Sequence, residues 1–307
     1  MNKSTKFTKA IYSFTYSEVG ELIEKLWLEK PHHLYENNWL KAQDDRHIHF
    51  INEWKAWVKD VLQIPSDFAH SYYCNGSSEA IKEALTMHSL SKNPTIHIFE
   101  GEYEGYEALA KNLNIKIVKH KRENWKNSIT KIKEGDQFYI SQPSSIDGNI
   151  WGDFNEFAKS VTCKLMLDVA YLGATKHNNY KINIYDSIHT IFFSLSKPFG
   201  VYYHRIGGVI SKESLPNLYG NKWFKNIFSV ELGMRLLKKY KLGELPKSYV
   251  SYKQKILENY NSLSDCDVFL MATNMTKTKS NFSRLKTSKG YLNRYCLTPK
   301  LHEVIKK

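Results

Sequence analysis

Between residues 68 and 210 the sequence alternates short apolar runs with amphipathic stretches, and this alternation constrains the fold more than any other feature. The apolar runs Phe68–Cys74, Thr95–Glu100, Ile115–Lys119, Gln137–Ser141, Lys164–Val169, Thr190–Ser194 and Ile206–Ile210 read as strands. Ser77–Leu90, Tyr103–Asn112, Trp125–Ile132 and Asp153–Ser160 carry apolar residues at helical spacing between them. A βαβα order of this kind predicts an α/β fold: a mainly parallel central sheet with helices on both faces.

The flanks differ. Ser17–Lys30 places Val19, Leu22, Ile23, Leu26 and Trp27 on one helical face and is ended by Pro31. Asp44–Leu62 repeats the pattern, and His32–Asn38 forms a loop between the two. Residues 211–263 return to long helices. Val268–Ala272, Phe282–Leu285 and Tyr291–Leu297 then read as a small strand group capped by a helix. The expected organisation is an N-terminal helical segment (1–65), a large α/β domain (66–215), and helices with a reduced small domain (216–307). The small domain draws on both chain ends.

Composition excludes several classes. The longest apolar stretches, such as Thr190–Leu195, fall far short of the ~20 residues a membrane span needs. The basic N-terminus lacks the continuous apolar run of a secretory signal. Four widely separated cysteines form no CxxC pair, which speaks against a disulfide scaffold or a structural zinc site and suits a reducing cytoplasm. The net charge of +13 invites a nucleic-acid reading, but only six of the 44 basic residues are arginine. Arginine makes most bidentate phosphate and base contacts, so a scattered lysine excess reads as solvated surface.

Ligand sites in open α/β sheets gather at the carboxyl ends of the strands, and four such places hold unusual chemistry. Cys74-Asn75-Gly76-Ser77-Ser78 is a small-residue turn entering a helix, either a cradle for an anion or a plain turn with a serine cap. Asp168, in KLMLDVAY, ends a buried strand, where a carboxylate needs a partner; a helix cap or a neighbouring lysine would serve. Lys197, in SLSKPFG, follows the apolar strand TIFF. Burial there makes an amine nucleophilic and able to form a Schiff base, and the alternative is an ordinary surface lysine. Arg205, eight residues further on, either reaches the same anion or makes a surface salt bridge. In this order they fit one cofactor's needs: a lysine for an aldehyde, a phosphate cradle, and an acid facing a ring nitrogen.

The segments NGSSEAI, EYEGY, QPSSIDG, DVAY and SLSKPFGVYYHRIGG, spanning residues 75–208, resemble the fold-type I pyridoxal phosphate (PLP) enzymes, most closely the class I/II aminotransferases. The resemblance implies that Lys197 forms the Schiff base and then shuttles a proton, that Asp168 keeps the pyridine nitrogen protonated, and that Tyr171 bonds the ring's phenolic oxygen. It assigns the phosphate to Gly76, Ser77, Ser78, Ser194, Ser196 and Arg205, and places Tyr103 where an aromatic ring stacks on the cofactor. A core tyrosine is the alternative for Tyr103. The asparagine that usually bonds the ring oxygen is replaced by Ser145.

Members of the family are commonly longer, and the shortfall here falls after residue 263, so a minimal C-terminal domain is expected. Arg294 is the expected partner of a substrate carboxylate, whose geometry matches a guanidinium fork; Arg284 is the runner-up. The resemblance further implies a homodimer acting on amino-acid and keto or aldehyde substrates. Tyr35 or Trp39 is a candidate for completing the partner's site, and His32, His33, Tyr202 and Tyr203 are candidate pocket residues. Aminotransfer is the expected reaction. Decarboxylation, elimination, racemisation or Claisen-type condensation on the same scaffold is the alternative, because fold does not determine reaction.

Overall fold

Seven strands build the central sheet: β1 (His70–Cys74), β2 (Thr95–Phe99), β3 (Lys116–His120), β4 (Gln137–Ser141), β5 (Lys164–Asp168), β6 (Ile188–Ser194) and β7 (Gly207–Ser211). In the computed structural model, which describes residues 6–29 and 44–306, their order is β1-β7-β6-β5-β4-β2-β3. Strands β3, β2, β4, β5 and β6 are mutually parallel. Strand β7 alone is reversed, pairing antiparallel with both β6 and β1.

The inner strands β2, β4, β5, β6 and β7 are mostly buried and largely apolar because both sheet faces are covered, whereas the edge strand β3 keeps Lys116 and Lys119 exposed. Side chains alternate between two cores at the period-2 spacing of a strand. Ile98, Tyr139, Met166, Phe192 and Val209 pack on one side with α3 (Ser77–Ser89) and α4 (Glu104–Asn112). Phe99, Phe138, Ile140, Leu165, Leu167, Ile191 and Phe193 face the other side. There they meet α1 (Ser17–Leu28), α2 (Asp44–Val58), α5 (Trp125–Ile129), α6 (Phe154–Ser160) and, beyond the short α7 (Ser196–Phe199) and α8 (Gly220–Trp223), α9 (Ile227–Lys239). The anchor of α2 is Trp54, 1% exposed, stacked on Phe193 of β6 at 4.0 Å between ring centroids.

After α10 (Glu244–Ser248) and α11 (Val250–Asn259), a second, antiparallel sheet of order β10-β11-β9-β8 forms from β8 (Ser264–Asp265), β9 (Met271–Thr276), β10 (Ser283–Thr287) and β11 (Gly290–Cys296), followed by α12 (Thr298–Ile305). Thr8 near the N-terminus bridges to Cys296, so both chain ends meet here.

The sequence reading differs from this arrangement at several places. The helices read as Asp44–Leu62 and Trp125–Ile132 stop at Val58 and Ile129. The apolar run Val268–Ala272 is buried throughout, but the strand starts only at Met271. Val268 instead donates its N–H to Gly148 O (2.8 Å) and forms an isolated bridge with Thr175. Hydrophobicity there reports burial and not ladder pairing. The two-residue β8 has no apolar signature and went unread. Tyr35, Trp39, His32 and His33 lie outside the described residues. All four cysteines are buried free thiols, and no described helix is long and apolar enough to cross a membrane.

Removing the indole that ties α2 to β6 should be expensive. We expect Trp54→Ala to lower unfolding stability by about 3–5 kcal/mol, measured by urea denaturation. A loss under about 1 kcal/mol would show that α2 is not anchored through this stack.

Candidate active site

The carboxyl ends of β1, β2, β4, β5 and β6 lie at one edge of the sheet, and the reversed β7 brings its amino end to the same edge. Ser77, Tyr103, Ser145, Asp168 and Lys197 follow or end those parallel strands, while Arg205 precedes β7. A cavity of about 510 Å³ opens there, and every expected site residue except Gly76 lines it. Tyr202 lines it too, whereas Tyr203 is 83% exposed. A larger, open groove of about 1040 Å³, by His88, His97, Asp136 and Lys164, lies at the opposite edge and contains none of these residues.

Gly76, not a serine, occupies the cap position of α3, and no side chain caps that end. The first-turn N–H groups of α3 are therefore available to an anion. Gly76 has φ of +80°, and a Cβ there would lie 2.6 Å from Arg205 Nη2. The positive φ is what favours glycine, and a Cβ would in addition push the guanidinium aside. Arg205 itself sits in the left-handed region at φ +50° and donates to Asn75 O at 2.7 Å. Ser194 Oγ accepts from Ser196 N–H (3.2 Å), and Ser196 Oγ is buried with no hydrogen-bond partner among the described residues. An orphaned hydroxyl beside a helix N-terminus and a guanidinium is a set of donors suited to a phosphate.

Asp168 has neither of the expected partners, cap or lysine. Its carboxylate accepts from Ala170 N–H (2.9 Å) and from Tyr106 OH (3.1 Å), a fully buried tyrosine. Burial outweighs these bonds, and with nearby Glu102 adding repulsion it pushes the Asp168 carboxyl up to about 7. A cationic ring nitrogen bound beside it would supply the missing countercharge.

Lys197 Nζ donates to Ile11 O and lies 6.0 Å from the Tyr171 ring centroid. Burial pulls the amine down to about 8, with Arg294 and Arg205 contributing and Cys296 opposing. A substantial neutral fraction near pH 7 to 8 makes it a competent nucleophile. Burial also raises the partly buried Tyr171 phenol. Tyr103 stands at the start of α4, its ring edge-on to Tyr106 at 5.3 Å.

Arg294 is 3% exposed; its Nη1 donates to Ser145 O, and its Nε has no partner among the described residues. Arg284 does not line the cavity. Its Nη2 donates to Gly101 O and Glu102 O, both at 2.7 Å, and Nη1 pairs with Glu104, so it braces the loop before α4. Of the two arginines, Arg294 is the one that lines the cavity.

Reading from sequence missed three participants: Glu102, a buried acid behind Ser145; Tyr106, which bonds Asp168; and Ser13, whose buried hydroxyl lines the cavity without a partner among the described residues. The paired tyrosines of EYEGY were the one available signal for Tyr106.

No family model matches the chain, and no curated protein sequence matches it. Solved structures do. YbdL from Escherichia coli, reported with a methionine aminotransferase function, superposes with a TM-score of 0.71 at 12% identity, covering 99% of this chain and 94% of that one. The aminotransferase AspB from Helicobacter pylori gives 0.70 at 14%, covering 99% and 92%. A PLP-bound C–S lyase from Staphylococcus hominis gives 0.65 at 12%, covering 83% and 79%. The chain has the fold-type I architecture of the PLP-dependent transferases.

Asp168 has a pH signature. Its folded-state value lies above the ordinary aspartate value, so its protonation favours the fold below about pH 4. That contribution is lost as pH rises through about 7. Urea unfolding of the cofactor-free protein should show Asp168→Asn flattening this part of the stability curve. Identical pH slopes in the two proteins would contradict it.

Proposed function

We propose that this chain is a PLP-dependent aminotransferase moving an amino group between an amino acid and a keto or aldehyde acceptor. The observation that carries the reading is the convergence of a buried, weakly basic lysine, a buried acid without a countercharge and an unsatisfied anion cradle in one cavity. Bound there, PLP supplies an aldehyde and an electron-poor ring that stabilises negative charge at the substrate α-carbon.

In this reading the N–H groups that open α3, with Ser77, Ser78, Ser194, Ser196 and Arg205, hold the phosphate. Asp168 shares a proton with the ring nitrogen, and Tyr171 and Ser145 face the ring oxygen. The Lys197 amine would hold the aldehyde carbon, and its Nζ would serve as the base for the proton on the substrate α-carbon. Tyr103 covers one face of the ring. The fork of Arg294 orients the substrate carboxylate, using the Nε that nothing else occupies among the described residues.

Elimination at the amino-acid side chain is the second reading. Ser145 in place of asparagine and the likeness to a C–S lyase fold favour it. Incubation with single amino acids separates the two: pyridoxamine phosphate formed without an acceptor supports transamination, whereas released ammonia supports elimination. A homodimer belongs to the proposal, and the exposed Tyr203, Tyr219 and Phe224, flanking or following the Arg205 turn, suit a covered face.

Wild-type protein given PLP should show a visible band that borohydride bleaches, and Lys197→Ala should never show it. A colourless wild type that takes up no PLP would refute the assignment. Arg294→Lys should lower kcat/KM for carboxylate-bearing substrates by about 10–100-fold, the worth of a charged hydrogen-bond pair, in steady-state assays. Unchanged kcat/KM would remove Arg294 from substrate binding.

A further inference from the structure

Ser145 lines the cavity, but its hydroxyl proton is already committed: Oγ donates to Glu102 Oε2 at 2.6 Å. Glu102 does not line the cavity and is 5% exposed. The same Oε2 accepts from Ser141 Oγ (2.7 Å) and Tyr103 N–H (3.2 Å), while Oε1 accepts from Ser141 N–H (3.3 Å). Ser141 Oγ in turn accepts from Ser145 N–H at 2.7 Å. The carboxyl group and two serines form a closed network immediately behind the cavity wall. Arg284 pins its loop by bonding Glu102 O.

The consequence follows from counting protons. An asparagine amide carries two N–H donors, but a serine has one, and it serves one acceptor. With that proton given to an ionised Glu102, Ser145 Oγ offers the cavity lone pairs only. With the proton on Glu102 and donated to Ser145 Oγ, the serine's own proton is free to enter the cavity. Burial raises the Glu102 carboxyl despite its four bonds. Asp168 faces it from β5 and Tyr106 from α4, and the Arg284 and Arg294 guanidiniums oppose from β10 and β11.

We propose that Glu102 is a positioning residue acting through Ser145: it sets whether that hydroxyl donates to, or accepts from, the ring oxygen of the bound cofactor. Protonated Glu102 makes Ser145 a donor to a ring phenolate, so that two residues do the work of one asparagine amide. The inference rests on the PLP reading above.

The test is PLP binding, followed by absorbance and fluorescence, in wild type, E102A, E102Q, S145A, S145N, E102A/S145A and E102A/S145N. E102A leaves the serine its proton but removes the group that orients it, and should weaken PLP by up to about tenfold, one hydrogen bond's worth, and displace the visible band. Neither change should appear when E102A is added to S145A or to S145N, because the effect passes through the serine proton. E102Q, which keeps a donor toward Ser145, should bind and absorb like wild type. Independent, multiplying effects of E102A and S145A, or an equal loss in the S145N background, would overturn the relay. Melting temperatures without PLP identify a variant that fails to fold. If E102A is one, E102Q decides: a wild-type band supports the relay, and a displaced band overturns it. A wild type that shows no band at all overturns the PLP reading and this inference together.

Discussion

The reversal of β7 is the constraint on which the site depends. Five parallel strands and β1 direct their carboxyl ends to one edge, but a parallel β7 would have delivered Arg205 to the other. Run antiparallel between β1 and β6, it returns the arginine to the turn that enters α3. The fit is close enough to dictate glycine on both sides. A Cβ on Gly207 would meet Gly76 Cα at 2.7 Å and Phe193 O at 2.5 Å, and a Cβ on Gly76 would collide with the guanidinium. Backbone proximity between β1 and β7 is thus what brings the Gly76 turn and Arg205 together beside Lys197, which follows the neighbouring β6.

Around that cradle the protein keeps polar groups that a purely structural core would not retain. Asp168 and Glu102 are buried acids held above their usual range, Lys197 is an amine held below its own, and Ser13, Ser196 and Arg294 carry buried atoms without partners among the described residues. Each unsatisfied group costs free energy, on the order of 1–3 kcal/mol. Two cores offset the cost, one on each face of the sheet, with strand side chains alternating between them. Ser13, Asp168, Ser196, Lys197 and Arg294 all line one cavity, and such violations gathered at one place are the pattern expected of a functional site.

Much of this was legible in the chain because parallel strands buried on both faces write continuous apolar runs, and the chemistry sits where those runs end. Asp168 after LML, Lys197 after TIFFSLS and the GSS turn after the first strand could be placed at one sheet edge without coordinates. Glu102 could not. It stands one residue from Tyr103 in a polar loop, and only the approach of the β4 carboxyl end encloses it between Ser141 and Ser145. Arg294 was the expected residue and Arg284 the runner-up, both arginines in short strands near the C-terminus. The difference between them lies in what the loop before α4 offers Arg284: two carbonyls and Glu104, which occupy its fork.

The sequence by itself determined the layered α/β architecture and the residues able to carry the chemistry, because periodicity and residue type are local properties. The tertiary structure alone decided how those residues are used. It made Asp168 a buried acid without a countercharge and Lys197 a weak base, because desolvation depends on everything packed around a group. It also turned Ser145 from a lone substitute for asparagine into one end of a hydrogen-bond chain. A hydroxyl's role depends on the acceptor it meets, and that acceptor, Glu102, lies 43 residues away along the chain.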